Sequence, residues 1–533
     1  MRPPTPLQSK TPFAISTDPL AGITTSRAGL GAVSRVLRSI NLPGMCEANL
    51  ALKKRDRGFV PGQVAESLIL LHAAGGDCQN DMEKLREDSG LTKMLGYQVP
   101  SARCMGDFLA LFHDEEIIRK TREAADAQGK LAILPEEGSR LRGLGRVLKG
   151  TVTAISRLGA EPIKTATVDQ DATIIESHKR NAKVAYEGTR GYQPMVAVWT
   201  EADLIVADEF RDGNVPAQMA PLNCAKAAFA ALPPSVDERF FRGDSACHEN
   251  DLIGWLRDED RKDGPNGFIG FAVSARMSED LAKAVKKVPD RTWKSFGTDG
   301  DGTIRQWAEI DFVPGERSEK KALLPLRYVG LRLVKPQGEL FADGNPYHYH
   351  AVITNRVMDG GQLLNWHRQK AGTIEHVHDE IKNGLGGGRL PSGNFGANAA
   401  WFRFACIAYN ILSALRRFWP DETLRNAKAK RLRFEIFNVM GRFTRDSRKI
   451  TPRIVGVLDI IPCVCHTRRH EFAAFHRFGR FSAGVRLCRT RTDFLSLDPV
   501  YCGEREMTGQ VFGVNDLKQC RGGAFGTNPA LFC

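Results

Sequence analysis

From about Gly29 to Gly159 apolar residues recur at i, i+3, i+4 and i+7, as in LGAVSRVLRSI, PGQVAESLILLHAAGG and GDFLALFHDEEIIRKTREAADAQ. That period predicts amphipathic helices, punctuated at Pro43-Gly44, Gly75-Gly76 and Val99-Pro100. At Ile163 the period shortens. Ile163–Asp171, Tyr192–Thr200 and Leu204–Phe210 read as strands of an antiparallel meander, with Gly188, Gly191, Asp212 and Gly213 in or near its turns. A short helix over Ala225–Leu232, a strand at Glu238–Asp244 and a helix over Asn250–Asp258 follow. Between about Asp260 and Val357 the strand-like runs Gly267–Ser274, Arg327–Val334 and Tyr347–Asn355 are separated by polar loops such as Gly297–Thr303. The pattern turns helical again at Gly361–Gln369, at Trp366–Asn383 and, after the loop GLGGGR, over the strongly apolar Ala399–Arg417. Thr373 is placed to cap a helix start near Gly372, and Gly384 to end that helix.

Three meander strands, a helix, then a strand and a helix are the element order of a ribonuclease H-like fold. The expected class is therefore mixed α/β, with a β-rich insertion inside the core. The divisions expected are a flexible Pro/Thr/Ser-rich arm over 1–28 and a helical, DNA-contacting domain over 29–160. The catalytic core takes 161–258 and 358–417, with the insertion at 259–357. A basic helical segment over 418–450 and an atypical Cys-rich tail over 451–533 follow. At 533 residues the chain is too long for one core.

Composition changes this picture in three places. A net charge of +13 favours a polyanionic partner. From Arg416 to Lys449 there are eleven Lys/Arg against four Asp/Glu, with Phe418, Trp419, Phe434, Phe437 and Phe443 interleaved. That mixture suits phosphate neutralisation beside aromatic packing on sugars and bases, and equally a helical hairpin with a solvated basic face. Lys53, Lys54, Arg55 and Arg57 form a second basic cluster, which fits either a helical DNA-contacting domain or a solvated loop. Six of the twelve cysteines fall in the last 71 residues. Cys463, Cys465, His466 and His470 lack regular zinc spacing, so no zinc site is expected there. No apolar run approaches the roughly 18 residues of a membrane span, and MRPPTPLQSKTPFAISTD lacks a signal's apolar core. A cytoplasmic protein without a membrane partner is expected.

Candidate chemistry lies in three acidic stretches. VDQDAT places Asp169 and Asp171 on one face of a strand, and FFRGDSA ends a strand in Asp244. In TIEHVHDEIKN, Glu375, His378/Asp379 and Lys382 share one helix face. Each stretch alone has a plain alternative: a turn cap, a helix N-cap, a solvated ion-paired face. Together they supply hard oxygen ligands suited to Mg²⁺ or Mn²⁺.

These stretches, with GFIGFAVSARM and KAGTIEHVHDEIKNGLGGGRLPSGNFGANAAWFRFACIAYNIL, resemble the DDE transposases of bacterial insertion sequences, in the cut-and-paste group with a β-rich insertion before the glutamate. The resemblance covers roughly residues 25–450, and Glu375 and Lys382 match the family's glutamate–lysine spacing. It implies a catalytic trio of Asp171, Asp244 and Glu375 holding two Mg²⁺ ions, replaceable by Mn²⁺, with Asp169 as a further ligand. Asp171 is preferred to Asp169 because Thr173 completes the family's Asp-x-Thr. Lys382, Arg368, Lys370, Arg416 and Arg417 are the expected DNA contacts. The partners implied are the double-stranded repeats at transposon ends and target DNA, engaged by a homodimer. Ala371 stands where the family has arginine, and the tail after about 450 has no counterpart. A decayed, non-catalytic DNA-binding derivative and another ribonuclease H-like DNA nuclease are the alternative functions.

Overall fold

The computed structural model describes residues 22–50, 58–130, 132, 134–159, 161–314, 326–336, 339–417, 419, 422–446 and 449–454. The Lys53–Arg57 cluster and the Cys463–His470 group lie outside them. The described residues fall within one compact unit.

Among the described residues the first strand is β1 (Ile23–Thr25), which pairs far along the chain with β14 (Gly441–Asp446), itself paired with β15 (Lys449–Ile454). Helices then run from Leu30 to Ser156, the longest being Pro61–Ala74 and Ser139–Ser156. The meander follows as β2 (Thr165–Ala172), then three short strands, then β6 (Met195–Trp199) and β7 (Leu204–Glu209). The short strands β3 (Ile175–Glu176), β4 (Lys183–Val184) and β5 (Arg190–Tyr192) make a small sheet of their own in the order β3-β5-β4. After the helix Pro221–Ala231 come β8 (Glu238–Gly243), the helix Asn250–Arg257 and β9 (Gly270–Ser274).

In the main sheet β7, β6, β2, β8 and β9 are neighbours in that order. β6 and β7 run antiparallel, β6 is antiparallel to β2, and β8 and β9 are parallel to β2. This is the ribonuclease H-like arrangement. Gly270–Ser274, which reads from the sequence as part of the insertion, is the fifth strand of the core.

The insertion extends that same sheet. Strands β10 (Lys294–Thr298), β11 (Ile304–Ile310), β12 (Arg327–Val334) and β13 (Tyr347–Thr354) are antiparallel, and β13 pairs with β9. The result is a nine-stranded sheet in which the insertion continues the core's hydrogen bonding. The Gly297–Thr303 loop is the turn of the β10–β11 hairpin, and both flanking strands escape the sequence reading. Lys294–Thr298 exposes most of its side chains at an edge, which leaves little alternation to detect.

One continuous helix spans Gly360–Asp379, capped by Asp359 accepting from the Gln362 amide. The helix start expected near Gly372-Thr373 is therefore interior, and the Thr373 hydroxyl donates to the Gln369 carbonyl one turn back. A π turn over Glu380–Gly384 follows, and the glycine loop closes it with bonds from the Gly387 and Gly388 amides to Ile381 and Lys382. Gly386 needs to be glycine: its φ is +67°, and a Cβ there would sit 2.6 Å from the Gly76 carbonyl oxygen.

The last long helix, Phe395–Arg417, is apolar on all sides because protein covers all of it but its final residue. On one side Asn410 bonds both the N–H and the C=O of Ile205 in β7, at 2.8 Å each. On the other, Trp401 meets His72 and Phe404 meets Phe108 and Phe112 from the N-terminal helices. Arg403 joins the two sides, bonding Asp208 of β7 together with Glu137 and the Leu141 carbonyl. No helix among the described residues is long and apolar enough to cross a membrane.

Candidate active site

On β2, Thr167, Asp169 and Asp171 lie at alternate positions and share the face toward the Gly360–Asp379 helix. Each finds a different partner. Thr167 bonds Glu201. Asp169 is fully buried and takes the Arg242 guanidinium on both oxygens, at 2.6 and 2.8 Å, and the Thr200 hydroxyl at 3.0 Å. Arg242 also donates to the Trp366 carbonyl, so this pair latches the helix to β8. Asp169, expected as a further metal ligand, has its acceptor positions engaged in a buried ion pair.

Asp171 and Asp244 come together. Gln170 and Gly243 are the last residues paired between the parallel strands β2 and β8, and each aspartate lies one residue further on. Neighbouring strands run about 4.8 Å apart, so the two carboxyls leave adjacent strand ends side by side. Burial, and then the negative charge of Asp171, push the Asp244 carboxyl above its ordinary range. Asp244 also caps a short turn, accepting the Ala246 amide at 3.1 Å.

Lys370 completes this centre. Its ammonium donates to Asp171 Oδ2 at 2.9 Å with the side chain only 9% exposed. Burial opposes its charge, but Asp171 and Asp244 together outweigh that and raise its pKa. Lys370 was expected to touch DNA; its side chain is instead turned inward onto a catalytic candidate. One turn earlier His367 contacts the Gly243 carbonyl at 3.0 Å, with its pKa pushed down to about 4 by burial. Two turns later His378 is buried, its Nε2 lacks a hydrogen-bond partner, and burial pushes its pKa down to about 4 against the pull of Asp171.

Glu375 is exposed on the same helix. Among the described residues its carboxylate does not join Asp171 and Asp244 in a group whose ligand atoms lie within 4.8 Å of one another. The group that does meet that distance, Asp77, Cys78 and Asp81, is a helix-start turn in which Asp81 accepts the Asp77 and Cys78 amides. Lys382 is half-buried, 3.4 Å from the Ile174 carbonyl just beyond the end of β2. Arg368 pairs with Asp299 at 2.6 Å. It lines a groove of about 900 Å³ between the β10–β11 turn and the glutamate helix, with Arg305, Asn365 and Gln369.

The two remaining expected DNA contacts have partners within the protein. Arg416 is buried and bonds Asp203, Ser413 and the Ala427 carbonyl, while Arg417 donates to the Ala202 carbonyl. They fasten the apolar helix to the β6–β7 turn, where Asp203 holds a left-handed φ of 52°. Arg425 and Arg433 likewise donate to backbone carbonyls, and Lys428 pairs with Asp379. Within the segment Arg433 is half-buried, while Arg425, Lys428, Lys430 and Arg431 stay exposed. Replacing Arg416 by alanine should cost about 2 kcal/mol in urea unfolding, from buried acceptors left unpaired, while DNA affinity in a gel shift stays within about threefold.

Nothing in the sequence pattern singles out Tyr186, which is 78% exposed in the tight Ala185–Thr189 loop of the small sheet. Its hydroxyl bonds Glu187, and Asp171 and Asp244 are close enough to influence its ionisation. Arg242 was findable, since it precedes Asp244 by two residues and alternation puts both on one face.

A family model described as Transposase DDE domain group 1 matches residues 15–458. The chain belongs to the DDE transposases. A solved piggyBac transposase synaptic complex with hairpin DNA is similar at 10% identity and a TM-score of 0.39, over 76% of this transposase and 79% of that chain. No curated protein matches. The fold assignment rests on the strand order and directions above.

Proposed function

We propose that this DDE transposase binds the terminal inverted repeats of a bacterial insertion sequence, as a dimer on paired ends, and cuts and joins DNA there. The observation that carries the reading is the pair of aspartates at adjacent parallel strand ends, with a buried cation against one of them. Burial raises the pKa of Asp244, and the repulsion between two neighbouring carboxylates raises it further. Such a set fits hard divalent cations, and Asp171, Asp244 and Glu375 would hold Mg²⁺ or Mn²⁺. When bound, these ions activate the attacking oxygen and stabilise the leaving oxygen of a phosphodiester.

The protein's own groups do the positioning. Strands β2 and β8 fix both aspartates rigidly, and the Arg242–Asp169 pair with the His367 contact fixes the helix that bears Glu375. Glu375 must turn inward to join them. Lys382, in the turn after that helix, and Arg368, on the helix and paired with Asp299, are the cations that would meet phosphates. The exposed position of Glu375 and Ala371 in place of arginine favour a second reading, a protein that occupies repeat ends without cutting.

The test is cleavage of the DNA that flanks the gene. The full chain with Mg²⁺ should nick at inverted-repeat ends, and Glu375→Gln should lose about 10³-fold in rate with binding within threefold. Binding without nicking by the unmodified chain, in Mg²⁺ and in Mn²⁺, establishes the second reading. Nicking at unchanged rate by Glu375→Gln removes Glu375 from the site.

A further inference from the structure

Lys370 sits where neither a surface DNA contact nor a helix-packing residue would put it. Its ammonium is buried, 2.9 Å from Asp171 Oδ2, in the field of both Asp171 and Asp244. The other nearby cations are committed elsewhere: Arg242 to Asp169 and Trp366, and Lys382 toward Ile174. His367 and His378 are held neutral by burial at ordinary pH. Lys370 is therefore the positive charge that these two aspartates directly face.

We propose that Lys370 is the built-in counter-ion of the Asp171–Asp244 pair, a positioning residue whose ammonium a divalent cation must displace from Asp171 to bind. This rests on the reading of the two aspartates as metal ligands. One oxygen of Asp171 already accepts the Ala172 amide at 2.8 Å, so the oxygen facing Lys370 is the one left to bind an ion. An ammonium and a divalent cation on that oxygen repel each other, and one must give way. Displacement leaves Lys370 beside the carboxylates with its charge uncompensated, ready to meet the phosphodiester that follows the metal. The protein thus keeps two adjacent carboxylates partly neutralised between rounds and passes one positive charge from protein to substrate.

Mn²⁺ titration calorimetry on the full chain without DNA tests this. Lys370→Met should bind Mn²⁺ about tenfold tighter than the unmodified chain, because the competitor is gone. Lys370→Arg, which retains the charge, should bind within about threefold of it. Asp171→Asn should abolish binding. If Asp171→Asn abolishes binding and Lys370→Met leaves affinity unchanged or weaker, the counter-ion role is overturned and the metal-site reading stands. If Asp171→Asn and Asp244→Asn both bind Mn²⁺ like the unmodified chain, the metal-site reading falls, and the counter-ion role with it. A second measurement needs no variant to fold. Acylation of Lys370 in the unmodified chain, followed by peptide mass spectrometry, should rise severalfold on adding Mn²⁺; unchanged labelling overturns displacement.

Discussion

Replacing Asp244 by asparagine should reduce strand cleavage by about 10³-fold or more while leaving the protein folded and, at neutral pH, slightly more stable. The loss follows from removing one of two carboxylates at adjacent strand ends. Stability moves the other way for a separate reason. Burial and the Asp171 charge both raise the Asp244 pKa, so folding favours its protonated form. Such a group helps the fold below its unfolded pKa, near 4, and that help is lost as pH rises through the higher folded value. Asparagine is neutral throughout and keeps an oxygen for the Ala246 amide. The gain, of order 1 kcal/mol, should appear in urea unfolding at pH 7 and vanish at pH 4. Cleavage within tenfold of the unmodified chain would remove Asp244 from the catalytic set, and a variant less stable at pH 7 would contradict the electrostatic account.

The largest structural effect is expected at Arg403. Its guanidinium lies in the middle of the buried Phe395–Arg417 helix and bonds Asp208, Glu137 and the Leu141 carbonyl. Arg403→Met keeps much of the stem's packing but strands Asp208, whose carboxyl is buried and already pushed upward by that burial. An uncompensated buried charge of this kind costs about 3–5 kcal/mol. Because Glu137 and Leu141 belong to the N-terminal helical segment and Asp208 to the core sheet, the loss should loosen one from the other. Denaturant unfolding measures it. A second change, Asp208→Leu in the Arg403→Met background, should recover part of the loss, since the orphaned charge goes with it. A cost below about 1 kcal/mol for Arg403→Met alone would show that the network contributes little.

Much of the core was legible. Short apolar runs located β2, β6, β7, β8, β12 and β13 to within a few residues, because a buried strand is apolar along its length and turn residues end it. Asp171 and Asp244 were readable as strand-end carboxylates for the same reason. Assigning β9 was harder: GFAVS reads alike as a fifth core strand or as the start of an insertion, and only its pairing with β8 on one side and β13 on the other decides. Strand β10 lay hidden because an edge strand needs little apolar alternation.

Charge was the least legible property. In sequence, Lys370, Arg416 and Arg417 are basic residues near a candidate site, and a basic chain invites assigning them to DNA. In the fold Lys370 and Arg416 are buried against Asp171 and Asp203, and the half-buried Arg417 donates to the Ala202 carbonyl. Asp169 and Asp171 differ in the same way. Two positions apart on one strand, they are chemically identical in the sequence, yet Arg242 claims the first and leaves the second beside Asp244.

Local spacing carried the element order, the sheet-end aspartates and the glutamate–lysine helix, since each depends on neighbours a few residues away and on the fixed periods of helix and strand. Which charged groups face inward was decided only by the tertiary structure. A buried charge survives where a partner from another element reaches it, and those partners lie tens to hundreds of residues off: Arg242 for Asp169, Lys370 for Asp171, Asp208 for Arg403.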